Sequence, residues 1–291
     1  MVTNKPLILL FLGSAILLGV FEAEPGGQKE PAHSSMPNSV QRNLTKDLED
    51  DENGARQLFL LGEESVSRLI KFLSDSDQGK RIAAARGLAY IGTPQGMQAI
   101  RNAIKTEKDK ETKSAISCFL AGGLVETKSE NDLNFLRNSV GSIRHADDDD
   151  WDVPGFCAAL ALGMRGGNDS LLLLRKAAKA DDPGEIGKAI RWREEKKSIP
   201  KRVTPEASLR DEALIKKIVL DDTFFAEEER DSTSVEQLTL NRARNKALVS
   251  LEIDRTKCVR GYDLVLAKES GVWRVVGIWF AWTADKVTPP R

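Results

Sequence analysis

The sequence predicts a mainly α-helical protein: an α-solenoid of about four to five helical hairpins, followed by a small α+β domain with an antiparallel sheet. Three observations predict it. A helical pattern ending in glycine returns four times between residues 53 and 180. After each glycine comes a second segment whose apolar residues recur three and four positions apart, the spacing of one helix face. Past residue 208 that spacing gives way to short runs rich in Val, Leu, Ile, Tyr and Trp, which read as strands.

The repeated first segments are "RQLFLLG", "ARGLAYIG", "CFLAGG" and "AALALG", ending at Gly62, Gly92, Gly123 and Gly163 at intervals of 30, 31 and 40 residues. Glycine ends a helix by adopting the left-handed conformation without a Cβ penalty, so each of the four is expected to close its helix that way. The second segments are "SVSRLIKFL", "MQAIRNAI", "LNFLRNSV" and "SLLLLRKAA". One hairpin of this size cannot bury its apolar face alone, but stacked hairpins can. The array is expected over 53–197, with "GEIGKAIRWREEKK" (184–197) as a carboxy-terminal cap that turns a polar face outward.

The segment "KRIAAARGLAYIGTPQGMQAIRNAI" resembles a HEAT repeat of the short type first recognised in phycobilisome lyases, with Arg81, Ala84, Ala85, Leu88, Gly92, Ile100 and Ile104 at the positions that matter in that pattern. The resemblance extends over roughly residues 53–180 and implies an array that binds a protein partner. It also implies that the second helices line the concave side, where equivalent positions stack. Those positions are Arg101 and Asn102, Arg137 and Asn138, and Arg175 and Lys176. Guanidinium forks pair with carboxylates, and amides hydrogen-bond extended backbone, so the expected partner is a protein or an acidic or extended peptide. The competing expectation is that these residues are the solvated faces of amphipathic helices. Some relatives attach bilins, but no chromophore-handling motif is present, and the repeat alone does not establish chemistry.

Charge narrows the partner further. With 43 basic and 44 acidic residues the net charge is -1, so no global field attracts nucleic acid. Lys5 precedes the apolar run "PLILLFLGSAILLGVF", which reads as an export signal over residues 1–23 or as an uncleaved membrane anchor. Residues 24–52 are polar and rich in Pro, Gly, Ser and Asn, as in a disordered linker. Cys118, Cys157 and Cys258 are too few and too scattered for a disulfide framework and are expected as buried thiols.

Beyond a Pro-containing linker at 198–208, residues 209–291 begin with the helix "LRDEALIKKIVL" and continue into a sheet of three or four strands. The tripeptide "ESG" (269–271) is expected as a hairpin loop. Simple alternation puts Trp273, Val275, Trp279 and Ala281 on one face of the last strand and Val276, Ile278, Phe280 and Trp282 on the other. A strand apolar on both faces is covered on both. The sheet is therefore expected to curl round a pocket lined by Trp273, Trp279 and Trp282, or to dock one face on the array or a second subunit. The closing hairpin "GYDLVLAKESGVWRVVGIW" resembles the last two strands of NTF2-like domains.

The residues do not point to catalysis. Of the two histidines, His33 lies in the polar linker and His145 beside the acidic run, and no phosphate loop, dinucleotide turn or metal-ligand spacing occurs. No cofactor, metal or catalytic residue is expected. The run "RHADDDDWDV" (144–153) falls in the 40-residue interval and fails as a calcium loop, because Val153 stands where the turn needs glycine and Ala159 where it needs glutamate. It is expected as an insertion whose Asp152 caps the next helix. Two functions follow from the sequence: an exported, non-enzymatic scaffold that binds a partner through the array, or a small apolar-ligand or dimerisation module centred on the Trp-rich sheet.

Overall fold

A helix flanked on two sides needs small apolar residues all round, whereas a helix with one open side needs only an apolar stripe. The computed structural model describes residues 51–141, 153–177, 190, 211–221, 233–254 and 258–285, and in it the hairpins sort their helices in this way. The apolar run, most of the polar linker, the aspartate run with Asp152, the cap helix except Ile190, and the linker at 198–208 lie outside the described residues.

Four hairpins are described. Helix α1 (Asp51–Leu61) meets α2 (Val66–Phe72) through a 3-10 turn at Gly62–Ser65. The next pairs are α3 (Gln78–Ile91) with α4 (Pro94–Thr106), α5 (Lys110–Gly122) with α6 (Glu130–Gly141), and α7 (Val153–Arg165) with α8 (Asn168–Ala177). Side-chain caps set three of the starts. Asp77 accepts from the Lys80 amide, Thr93 from Gly96 with Pro94 in the first turn, and Asp109 from Thr112.

The first helices α1, α3, α5 and α7 stack side by side as one layer, and α2, α4, α6 and α8 flank them. Nearly every residue over 83–91, 116–122 and 155–163 is buried, which the alanines and glycines there permit. The second helices are one-sided: in α4, Met97 and Ile100 point in, while Gln98, Asn102 and Lys105 are exposed.

The glycines behave less uniformly than the sequence suggests. Gly62 and Gly92 are left-handed, with φ of +61° and +65°. Gly123 follows α5 in a right-handed conformation, and Gly163 lies inside α7, whose end comes at the left-handed Gly166. At Gly123 a Cβ would press only on the flexible end of Met97, so backbone handedness does not call for glycine there and a shift of that side chain could make room.

The carboxy-terminal region contributes α9 (Asp211–Asp221) and four antiparallel strands: β1 (Thr233–Leu240), β2 (Lys246–Asp254), β3 (Cys258–Glu269) and β4 (Val272–Asp285), hydrogen-bonded in chain order. Ser270 and Gly271, both with positive φ, make the two-residue turn that joins β3 to β4, one residue shorter than the sequence loop. Helix α9 covers one face of the sheet through Leu214, Ile215, Ile218 and Val219. The opposite face lies on the first helices, so the order is second helices, first helices, sheet, α9, with one continuous buried apolar cluster through it.

Two expectations are overturned here. Simple alternation placed Trp273 and Trp279 on one face of β4. Val265 pairs with Gly277 but Leu266 with Val275, so Val276 is an extra residue and the phase flips across this bulge. The Trp273 indole consequently donates to Asp211 of α9 at 3.2 Å, while the Trp279 indole reaches α5 on the other side. Cys118 and Cys157, expected as thiols, form a disulfide between α5 and α7 with Cα atoms 5.3 Å apart. They are 39 residues apart in sequence but on adjacent first helices, because one repeat step restores the same position in the layer. Of the third cysteine, only its position at the start of β3 is described. Among the described residues, no helix is long and apolar enough to cross a membrane.

Candidate functional site

The seam between helices and sheet is keyed by Trp279. Its indole N–H donates to the Phe119 carbonyl at 2.9 Å, and its ring meets Tyr90 edge-on with centroids 4.9 Å apart. Gly122 and Gly277 leave the space for the ring. A Cβ on Gly122 would overlap the Ile278 carbonyl and the indole, and one on Gly277 would overlap the far edge of the same indole. Next to it, Phe156 of α7 packs edge-on against Phe280 of β4 at 5.3 Å. The disulfide halves Cys118 and Cys157 are chain neighbours of Phe119 and Phe156, so the covalent link sets the spacing of the two helices that hold β4.

Beside Trp279 lies a buried polar network. The Tyr90 hydroxyl donates to Asp263 at 2.5 Å, the Ser250 hydroxyl donates to the other oxygen of Asp263, and Arg56 donates to Ser250 and to Thr239. Burial, then the neighbouring Asp263 charge, push the Tyr90 hydroxyl well above the usual phenol range. Its hydrogen bonds run from helix to sheet and so favour one register of sheet on helices, because a displaced sheet would leave the buried Arg56 guanidinium, whose Nε already lacks a partner among the described residues, without its remaining bonds.

Along one edge of the seam the layers part into a groove of about 640 Å³. Its apolar wall comes from Met97, Leu124, Val276 and Trp279, and its polar wall from Gln98, Arg101, Glu126, Asp132 and Lys246. Residues 80–106 match the PBS lyase HEAT-like repeat family. No curated protein sequence matches the chain. The HEAT-like unit is α3 with α4, which supply Tyr90, Gly92, Met97, Gln98 and Arg101 to the groove. HEAT-like repeats often mediate protein interaction, and a repeat motif of this kind is not evidence of catalysis.

The six residues expected to stack along the second helices have distinct surroundings. Arg101 makes a fork of two bonds to Asp132 of the next hairpin, at 2.7 and 2.6 Å, and Thr127 donates to the same carboxylate at 2.8 Å. Arg137 pairs with Glu130 and Asn134 on its own helix. Asn102, Asn138, Arg175 and Lys176 are exposed on the second helices. Of the three tryptophans, Trp279 lines the groove and Trp273 lies on the other side of the sheet; Trp282 pairs with Gly261 in the backbone register. The groove thus joins Arg101 from one expected site to Trp279 from the other. Among the described residues, no cluster of His, Cys, Asp and Glu could hold a metal ion.

Sequence reasoning missed Tyr90, Lys246 and Asp263. One signal was present: a tyrosine and an arginine at Tyr90 and Arg86 interrupt the alanine-rich, buried part of α3, and a polar group in a buried helix calls for a partner from another element. The partner's identity was not readable.

Proposed function

We propose that this protein is an exported scaffold that binds an extended segment of a partner protein in the groove between the HEAT-like hairpins and the sheet. The observation that carries this reading is the groove itself, with an apolar wall at Met97, Leu124, Val276 and Trp279 faced by hydrogen-bonding groups. Asn102, Asn138, Arg175 and Lys176 extend the proposed surface along the second helices, and Arg101 and Arg137 hold its shape. Two features support export: the apolar run after Lys5, as a cleaved signal or a membrane anchor, and the Cys118–Cys157 disulfide, since such bonds persist in oxidising compartments.

A pocket inside an NTF2-like sheet has less support. Trp273 and Trp279 lie on opposite sides of the sheet, and both indole N–H groups are engaged within the fold.

The test is a capture experiment from the exported fraction of the source cells, comparing the wild-type chain with Gln98→Trp. Gln98 is exposed at the groove mouth, so the larger side chain fills the groove without disturbing the core. The expected result is loss of the captured protein with helicity unchanged. Equal capture by both chains overturns the reading.

A further inference from the structure

Among the described residues, the charges around the groove are matched, with one exception. Arg101 is held by Asp132, and Glu126 has Arg274 at 3.3 Å. Lys246, the first residue of β2, is half-buried at the seam and donates to the Ile91 carbonyl at the end of α3. Among the described residues no carboxylate lies within ion-pair distance of it; the acidic group that it senses is the exposed Glu63, through space. An ammonium has three donors, and the Ile91 carbonyl takes one. Gly92, exposed and without a side chain, borders the groove next to it. Desolvation lowers the Lys246 pKa, as for a cation whose solvent has been removed without a countercharge being supplied.

We propose that Lys246 anchors a carboxylate of the bound peptide, which occupies the remaining ammonium donors while the neighbouring peptide residue rests on Met97 and Val276. This rests on the groove reading above and adds the chemistry of the occupant. The carboxylate is that of the chain terminus or of an Asp or Glu side chain. With Arg101 and Glu126 already paired, Lys246 is the cation left to receive a charge, so one carboxylate at the Lys246 end is the expected stoichiometry. A charge-assisted bond of this kind is roughly twice as strong as a neutral one.

The test uses the purified full chain and three pools of N-acetylated tetrapeptides: a free carboxy terminus with no acidic residue, an amidated terminus with one Asp or Glu, and an amidated terminus with neither. One carboxylate pool is expected to bind about tenfold more tightly than the neutral pool, with the preference lost in Lys246→Gln and largely kept in Lys246→Arg. Which pool wins distinguishes the two sources. Because Lys246 also caps α3, the wild-type chain supplies a second measurement: the Lys246 ammonium nitrogen resonance should move with the winning pool and stay with the neutral one. Equal binding of all pools, blocked by Gln98→Trp, overturns the anchor and leaves the groove standing. Binding that survives Gln98→Trp, or no binding of any pool, overturns both.

Discussion

The first helices of the hairpins are covered on both sides, by the second helices and by the sheet, whereas the second helices keep one face in solvent. Both layers come from the same repeating unit, so the difference between them shows what a neighbour demands of a helix. In α5 the residues from Ile116 to Gly122 are all buried, and the helix has a backbone bare enough at Gly122 for an indole to lie against it. In α4, two residues separate the buried Met97 from Ile100, and one of them, Gln98, is exposed. Polar groups divide in the same way. Arg56, Tyr90, Ser250 and Asp263 bond to one another across layers, while Asn102 of the second layer bonds to Gln98 on its own helix.

The largest effect is expected where the first layer meets the sheet. Trp279→Ala removes a side chain 1% exposed and should cost about 3–5 kcal/mol in denaturant unfolding, as for other buried large aromatics. A loss below about 1 kcal/mol, the level of an ordinary substitution, would break the comparison, since it would mean that the sheet does not depend on this seam. Reduction of the Cys118–Cys157 link sharpens it. The bond joins neighbours within the first layer, and its loss should cost about 2–4 kcal/mol, measured as a lower Tm in reductant and reproduced without reductant by replacing both cysteines with alanine. If the Trp279→Ala and disulfide effects add in full, the two helices do not hold β4 jointly; a combined loss smaller than the sum is expected from the adjacency of Phe119 and Phe156 to the two cysteines. The smallest effect belongs to the second layer: Asn138→Ala with Lys176→Ala should change unfolding by no more than about 0.5 kcal/mol. Arg101 is the exception on that layer, because its fork to Asp132 ties one hairpin to the next, and charge reversal there would set two carboxylates against each other.

Much of the fold was legible in local pattern. The glycines at Gly62 and Gly92 marked helix ends, the period of "MQAIRNAI" marked α4, and "ESG" marked the β3–β4 turn. The candidate site was legible only in part: Arg101 and Trp279 were singled out, but as members of two separate surfaces. The uninterrupted apolar runs of α5 and α7 carried a further message, that those helices have neighbours on both sides, and it was compatible with the sheet as that neighbour.

By itself the sequence determined the helical hairpins, their stacking into an array and the antiparallel strands, because periodicity and turn chemistry act within a few residues along the chain. Tertiary structure alone decided that the sheet lies on the first helices, that Val276 bulges and sends Trp273 and Trp279 to opposite faces, that Cys118 meets Cys157, and that Lys246 borders a groove with no carboxylate partner among the described residues. Each of these depends on residues brought together from distant parts of the chain. A residue's own neighbours in sequence set its backbone conformation, but the partner it is buried against is chosen by the packing of whole layers.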